Sequence, residues 1–308
     1  MTDRAPRQTS VVIPCYNAAS FVCDAIASCF AEGVEGSRII VIDDGSTDET
    51  PRRLADWATH IKVRRKANGG ASTARNAGLT LVETPYVVFL DADDLYEGGI
   101  LGALEHEMIK TNADIGLGAL QNVRTDGSYG RRERPPAPKD PKVFLEAWLR
   151  GHTVGTNSQM WRTDFLRHIG GYTTEMKTLE EIQVVARGVL AGAQLAVTDV
   201  GQSLYMDRGN TDRVRYGDSE QVIRSAIRGF MQIEPAIKSC EQRIALGQRY
   251  YHQARAAFRQ GYVSLGRDAL SRARTCGFRG HLGTRNHRLL CSLIGLEIKE
   301  GLLRRARS

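Results

Sequence analysis

Five carboxylates close two apolar runs in this chain, and acids in that setting suit two kinds of chemistry. Tyr86-Val-Val-Phe-Leu90 ends in Asp91, Asp93 and Asp94, and Ile39-Ile-Val-Ile42 ends in Asp43 and Asp44. Adjacent carboxylates repel one another unless a cation lies between them, and oxygen ligands of this hardness suit Mg²⁺ or Mn²⁺. A carboxylate also accepts hydrogen bonds from nucleobase N–H groups and from ribose hydroxyls. The same residues would equally make a solvated turn that caps the next helix.

The elements that must carry these acids are legible in the hydrophobic pattern. Residues 10–14, 39–42 and 86–90 are uniformly apolar, as strands covered on both faces are, and 62–64 reads as a weaker strand. Helical spacing fills 21–30 and 71–81, and a third helix starts near Glu49 with Ser46 or Thr47 as its cap. Repeated β-α units with short connections predict a parallel, doubly wound sheet, whose ligands bind outside the carboxyl ends of the strands. Both acidic turns converge there. Neither a Gly-x-Gly-x-x-Gly fingerprint nor a Gly-x-x-x-x-Gly-Lys-[Ser/Thr] loop is present, which argues against a dinucleotide oxidoreductase and a P-loop NTPase. Phosphates are then left to a metal and to basic groups such as Arg75, which is otherwise a surface arginine.

The 308 residues carry a net charge of +7, unevenly spread. From residue 220 onward there are 17 Lys/Arg against 6 Asp/Glu, so a basic tail follows a mildly acidic first part. No nucleic-acid motif or aromatic interleaving accompanies that tail, so nucleic acid is not an expected partner. No run approaches the ~18 apolar residues of a membrane span. The six cysteines form no Cys-x-x-Cys pair and read as buried or semi-buried thiols. These features predict a cytoplasmic protein.

Several blocks occur in order: Ser10-Val-Val-Ile-Pro-Cys-Tyr-Asn17, Val41-Ile-Asp-Asp-Gly-Ser-Thr-Asp48, Asn68-Gly-Gly-Ala-Ser-Thr-Ala-Arg-Asn-Ala-Gly78 and Phe89-Leu-Asp-Ala-Asp-Asp94. Together with Trp161–Tyr172 and Leu179–Arg187 they resemble the family-2 inverting glycosyltransferases, over roughly residues 9–210. The resemblance implies a GT-A fold, Rossmann-like, with a mostly parallel sheet and helices on both faces. It implies a nucleotide-sugar donor, UDP-linked by preference, and a saccharide, lipid-linked or other hydroxyl acceptor. It also implies Mn²⁺ or Mg²⁺, bound by Asp93 and Asp91 with Ala92 between them. Pro14, Tyr16 and Asn17 would lie beside the base, Asp44 and Asp43 would bond it, and Asp91 would contact ribose or sugar. Arg75 and Asn76 would support the donor pocket, with Asp94 as a second participant or a helix cap.

An inverting transfer needs a carboxylate to take the acceptor's proton. The family's base commonly lies in a Glu-Asp pair after a Gly-Gly-aromatic turn. Here Gly170-Gly171-Tyr172 precedes Glu180-Glu181, so Glu181 takes the aspartate's position as base, with Glu180 next. Two glutamates at a helix start would also simply complement its dipole. A second departure is the Leu204–Asn210 stretch, which lacks the histidine of many relatives and offers Arg208 instead.

Residues 124–141 read as a polar, proline-broken loop beside the acceptor side, where Trp148, His152, Asn157 and Trp161 also fall by analogy. The expected domains are 1–215 and a basic α-helical 216–308. The latter has one tetratricopeptide-like helix pair at 248–275 and a last helix whose Leu289, Leu290, Leu293, Leu296 and Ile298 face the helical core. Peripheral contact at the inner face of a membrane is the alternative use of that basic helix. The reading is a non-processive, metal-dependent inverting glycosyltransferase of polysaccharide, glycan or glycolipid synthesis. A catalytically lapsed nucleotide-sugar-binding protein and a sugar nucleotidyltransferase are the alternatives.

Overall fold

Uniformly apolar segments become the middle of a sheet. A computed structural model describes residues 7–136, 140–208 and 219–305, which leaves Gly209, Asn210, Ala306 and Arg307 outside the described residues. The chain runs β1 (Thr9–Cys15), α1 (Val22–Ala31), β2 (Ile39–Asp43), α2 (Thr50–Ala55), β3 (Lys62–Arg65), α3 (Ala71–Leu79) and β4 (Tyr86–Phe89). Next come β5 (Leu95–Glu97), α4 (Ile100–Thr111), β6 (Ile115–Leu117), β7 (Leu120–Val123), β8 (Tyr129–Glu133) and α5 (Pro141–Arg150). β9 (Gln159–Arg162), α6 (Thr163–His168), α7 (Glu180–Leu190), β10 (Leu195–Val197) and β11 (Gln202–Met206) follow.

Seven strands form one sheet in the order β10-β6-β9-β4-β1-β2-β3. β1, β2 and β4 are buried along their whole length, as strands without polar alternation must be, and exposed β3 takes the edge. β1 pairs in parallel with β2 and β4, putting Cys15 opposite Asp43 and Val12 opposite Phe89. β9 alone runs antiparallel to its neighbours β4 and β6. α3 lies close on this sheet at Gly78, where a Cβ would collide with Val12. The buried Glu32 carboxylate accepts the N–H groups of Gly99 (2.7 Å) and Leu101 (3.0 Å), holding the start of α4.

The segment expected to be a loop at 124–141 departs from that expectation. Tyr129–Glu133 forms β8, paired with β7 in a second sheet of order β5-β11-β7-β8. Arg132 and Arg134 of that hairpin both bind Asp199, at 3.1 and 2.9 Å, so its basic residues are cross-links. Residues 137–139 of that segment lie outside the described residues.

Two compact units are distinguished, and the division is not a single cut. The first comprises Met1–Pro141, His152–Thr174 and Arg187–Thr211; the second comprises Lys142–Gly151, Glu175–Ala186 and Asp212–Ser308. The second is built on α8 (Glu220–Ile233), α9 (Cys240–Gln260), α10 (Val263–Thr275), α11 (Arg285–Ile294) and α12 (Leu296–Arg305). Its core includes Trp148, stacked on Phe144 at 5.7 Å, with the indole N–H donating to the Ile182 carbonyl at 3.1 Å. Trp161 is likewise buried, in β9, so both tryptophans are core residues. The single last helix expected from the sequence is two helices, split at Gly295. Cys240, expected to be at least half-buried, is exposed.

Candidate active site

The first acidic turn is stitched to the end of β1 by backbone groups. The Asp44 N–H donates to the Cys15 carbonyl at 2.8 Å, which aligns the two strand ends. Asn17 adopts φ of 49°, a left-handed conformation asparagine tolerates, and its N–H donates to Ser46 Oγ at 3.0 Å. Its side-chain oxygen accepts the Thr47 N–H at 2.8 Å. Ser46 and Thr47 are thereby used, and the α2 start is served by Asp48, whose Oδ1 accepts the Thr50 N–H at 2.9 Å. Pro14 and Cys15 are buried beneath this turn while Tyr16 is 50% exposed at its rim.

Asp43 and Asp44 are almost wholly enclosed, with side chains 2% and 4% exposed. Asp43 accepts the Ser46 N–H at 2.8 Å and pairs with Arg65 Nε at 3.3 Å. Asp44 binds Lys66 Nζ and accepts the N–H groups of Gly69 (3.1 Å) and Gly70 (2.7 Å). It therefore pins the Asn68-Gly-Gly turn that starts α3. No local pattern in the sequence marks Lys66 and Arg65 as partners of these acids; β2–β3 pairing sets Arg65 beside Asp43.

The second acidic turn is more open. Asp91 is 41% exposed, and Arg75 Nη2 meets its Oδ1 at 2.7 Å. Arg75 is not a surface residue: it is buried on α3, with its guanidinium 5.2 Å from the Tyr172 ring centre. Ala92 is buried and Asp93 is half-buried. Arg208 donates to the Asp93 carbonyl at 3.3 Å and lies over the Phe21 ring at 4.7 Å, so it sits at this turn. Asp94 is not a helix cap, since α4 starts at Ile100 after Gly99. Its buried carboxylate accepts Asn157 Nδ2 at 3.1 Å and the Met206 N–H at 3.0 Å.

Asn76 works one step behind. Its amide clamps the Tyr172 backbone in both directions, donating to the carbonyl at 2.7 Å and accepting the N–H at 2.8 Å. The Gly170-Gly171 turn needs its glycines: Gly171 has φ of 65°, and a Cβ would stand 2.6 Å from Asn76 Oδ1. Arg187 on α7 donates to the Gly171 carbonyl. Burial holds its guanidinium below the ordinary arginine range, partly offset by Tyr172. Glu180 and Glu181, both half-buried, open α7 directly after Leu179, which is buried with φ of 61°. A leucine in that region costs about 1–2 kcal/mol, strain of a kind that gathers at working sites.

Electrostatics tie the two turns together. Burial first, then the negative charges of Asp43, Asp48 and Asp93, push the Cys15 thiol up to about 12. Among the described residues no group of three or more His, Cys, Asp or Glu forms a metal cage. The Asp91-Ala92-Asp93 turn fits the other mode of holding Mg²⁺ or Mn²⁺, by one or two carboxylates together with substrate phosphates.

The model of glycosyl transferase family 2 matches residues 10–168, the stretch that carries both acidic turns. The chain belongs to this family. The glycosyltransferase is 28% identical to the succinoglycan biosynthesis protein ExoU of Rhizobium meliloti over 265 residues, 79% of this chain and 77% of ExoU. Among solved structures it resembles S. aureus TarS 1–349, with a TM-score of 0.67, 17% identity, and coverage of 97% of this chain and 90% of that one. TarS 1–349 is also solved in complex with UDP-GlcNAc. The mannosyltransferase PcManGT of Pyrobaculum calidifontis, solved with GDP-Man and Mn²⁺, matches at a TM-score of 0.56 and 16% identity, covering 98% and 89% of the two chains. These likenesses establish the GT-A fold of the transferase, with its large, mostly parallel sheet and C-terminal helical region.

Proposed function

We propose that this glycosyltransferase moves a sugar from a nucleotide-sugar donor, a UDP-sugar by preference, to a hydroxyl acceptor, with inversion and without processivity. The observation that carries the reading is the Asp91-Ala92-Asp93 turn at the end of β4, half-open and flanked by Arg75 and Arg208. ExoU, named for succinoglycan biosynthesis, supports a saccharide or lipid-linked acceptor and a role in polysaccharide assembly. The complexes of TarS with UDP-GlcNAc and of PcManGT with GDP-Man support the donor class.

In this reading the base and ribose lie over Pro14, Tyr16 and Asn17, with Asp43 and Asp44 fixing the loop against them. Asp91 bonds the ribose or sugar, and Asp93, with Asp91, would hold Mn²⁺ or Mg²⁺. That cation, when bound, neutralises charge on the leaving diphosphate. Arg75 holds Asp91 in one orientation, and Arg208 adds a guanidinium whose geometry matches phosphate. The acceptor oxygen attacks the anomeric carbon as the bond from that carbon to the diphosphate oxygen breaks. Its proton passes to the Glu181 carboxylate, with Glu180 the second candidate.

Replacing Glu181 by Gln separates the base from the donor site. Transfer, or slow donor hydrolysis, should fall about 10²–10⁴-fold while UDP with Mn²⁺ still raises the melting temperature. Unchanged turnover in Glu181→Gln would remove the base assignment. If no nucleotide raises the melting temperature of the wild type, the donor site itself is misread.

A further inference from the structure

The last two helices are built inside out. On α11 the buried residues are His287 and Cys291, and on α12 they include Lys299 and Glu300. Lys299 Nζ donates to His287 Nδ1 at 2.7 Å, which leaves Nε2 to carry the proton facing Cys291 Sγ at 3.3 Å. Glu300, with no exposed side-chain surface, takes Lys299, Arg255 and Arg259, each at 3.0 Å. Apart from Leu296, which is buried, the leucines point the other way. Leu289, Leu290 and Leu293 on α11, and Ile298, Leu302 and Leu303 on α12, are all exposed, Leu293 to 71% and Leu289 to 60%. Of the stripe expected to face the helical core, Leu296 is buried as expected, whereas Leu289, Leu290, Leu293 and Ile298 face outward. Periodicity finds a stripe but not its direction.

An exposed apolar face of this extent on consecutive helices marks an interaction surface. Its rim states the partner's charge. Arg285 and Arg288 flank the α11 leucines, are exposed, and make no ion pair among the described residues. Both acids of α12 are already spent, Glu300 as above and Glu297 on Arg267 at 2.8 Å. A second copy seated on this face would set one arginine rim against another, as two-fold pairing of the same patch requires. An anionic bilayer supplies apolar depth and opposite charge together. No helix of the described residues is long and apolar enough to cross a membrane.

We infer that α11 and α12 form a docking face that lies in the interface of an anionic lipid bilayer, leucines inserted and arginines at the headgroups. This inference does not depend on the donor-site reading. The test is flotation of the full chain with vesicles of phosphatidylglycerol and phosphatidylcholine in equal parts, and with phosphatidylcholine alone. Binding should require the anionic lipid. Leu293→Ser and Leu302→Ser should each weaken partitioning about tenfold. Arg285→Gln and Arg288→Gln should each weaken it about fivefold, less so in high salt. All four positions are exposed, so unchanged melting curves should accompany the loss. The inference is overturned by absent binding, by equal binding to both vesicles, or by leucine variants that bind normally. Concentration-dependent self-association abolished by Leu293→Ser, without vesicle binding, would overturn it too and assign the face to a second copy.

Discussion

At the end of β2, Asp43 and Asp44 are 2% and 4% exposed and are bound by Arg65, Lys66 and the N–H groups of Ser46, Gly69 and Gly70. At the end of β4, Asp91 is 41% exposed and meets one arginine, with half-buried Asp93 beside it. The two turns follow parallel strands of one sheet and read alike, as an apolar run closing in acids. Their surroundings divide the work. A carboxylate enclosed by backbone N–H groups builds a loop, whereas one left half in water keeps coordination capacity for a ligand. In the proposed reading the first turn shapes the donor site and the second meets the donor.

Exchanging readouts between the turns is the strongest way to break that division. Asp93→Asn should abolish metal-dependent nucleotide binding and lower transfer about 10³-fold, the few kcal/mol a bound cation contributes. Its melting temperature without ligand should stay that of the wild type. Asp44→Ala should do the reverse first, unfolding earlier by about 2–3 kcal/mol because Lys66 and two N–H groups lose their acceptor. Differential scanning calorimetry and UDP titration on both variants decide it. An Asp44→Ala protein of normal stability that fails to bind UDP would make both turns ligand-facing.

Arg75 joins the second turn to the protein's interior and sharpens the contrast. Arg75→Met keeps apolar packing on Tyr172 but removes the cation on Asp91. Activity should fall about 10–100-fold, the usual cost of losing a partner that orients a metal-binding carboxylate. The loss should appear in the concentration of Mn²⁺ needed for half-maximal rate. A loss of stability with no change in that concentration would move Arg75 from the donor site to the core.

The sheet was readable because burial on both faces leaves a plain signature, and β1, β2 and β4 lie within a residue or two of their expected places. Direction and partnership were not readable. The sequence left Arg75 open between a donor-pocket group and a surface arginine, because its partner Asp91 lies 16 residues away and only the fold joins them. Asn76 finds Tyr172 across 96 residues, beyond any local pattern. The polar run at 129–133 became β8 because pairing with β7 outweighs its composition. The outward leucines of α11 and α12 follow from where Glu300 finds its three cations, a tertiary fact.

The smallest test lies within the first turn itself, at Asp48. Burial alone would raise its pKa, but hydrogen bonds from the Thr50 hydroxyl and N–H, and from the Ala19 N–H, hold it below the ordinary carboxylate range. A carboxyl with a depressed folded-state pKa adds stability that is full above the unfolded value and is lost as pH falls through the folded one. Asp48→Asn keeps an acceptor for the Thr50 N–H and removes only the charge, so the loss at neutral pH should be about 0.5 kcal/mol. The melting difference from wild type should hold constant from neutral pH down to about 4 and close below it. A difference that persists in acid would mean Asp48 shapes the loop through packing rather than charge, and the first turn would then owe its rigidity to Asp43 and Asp44 alone.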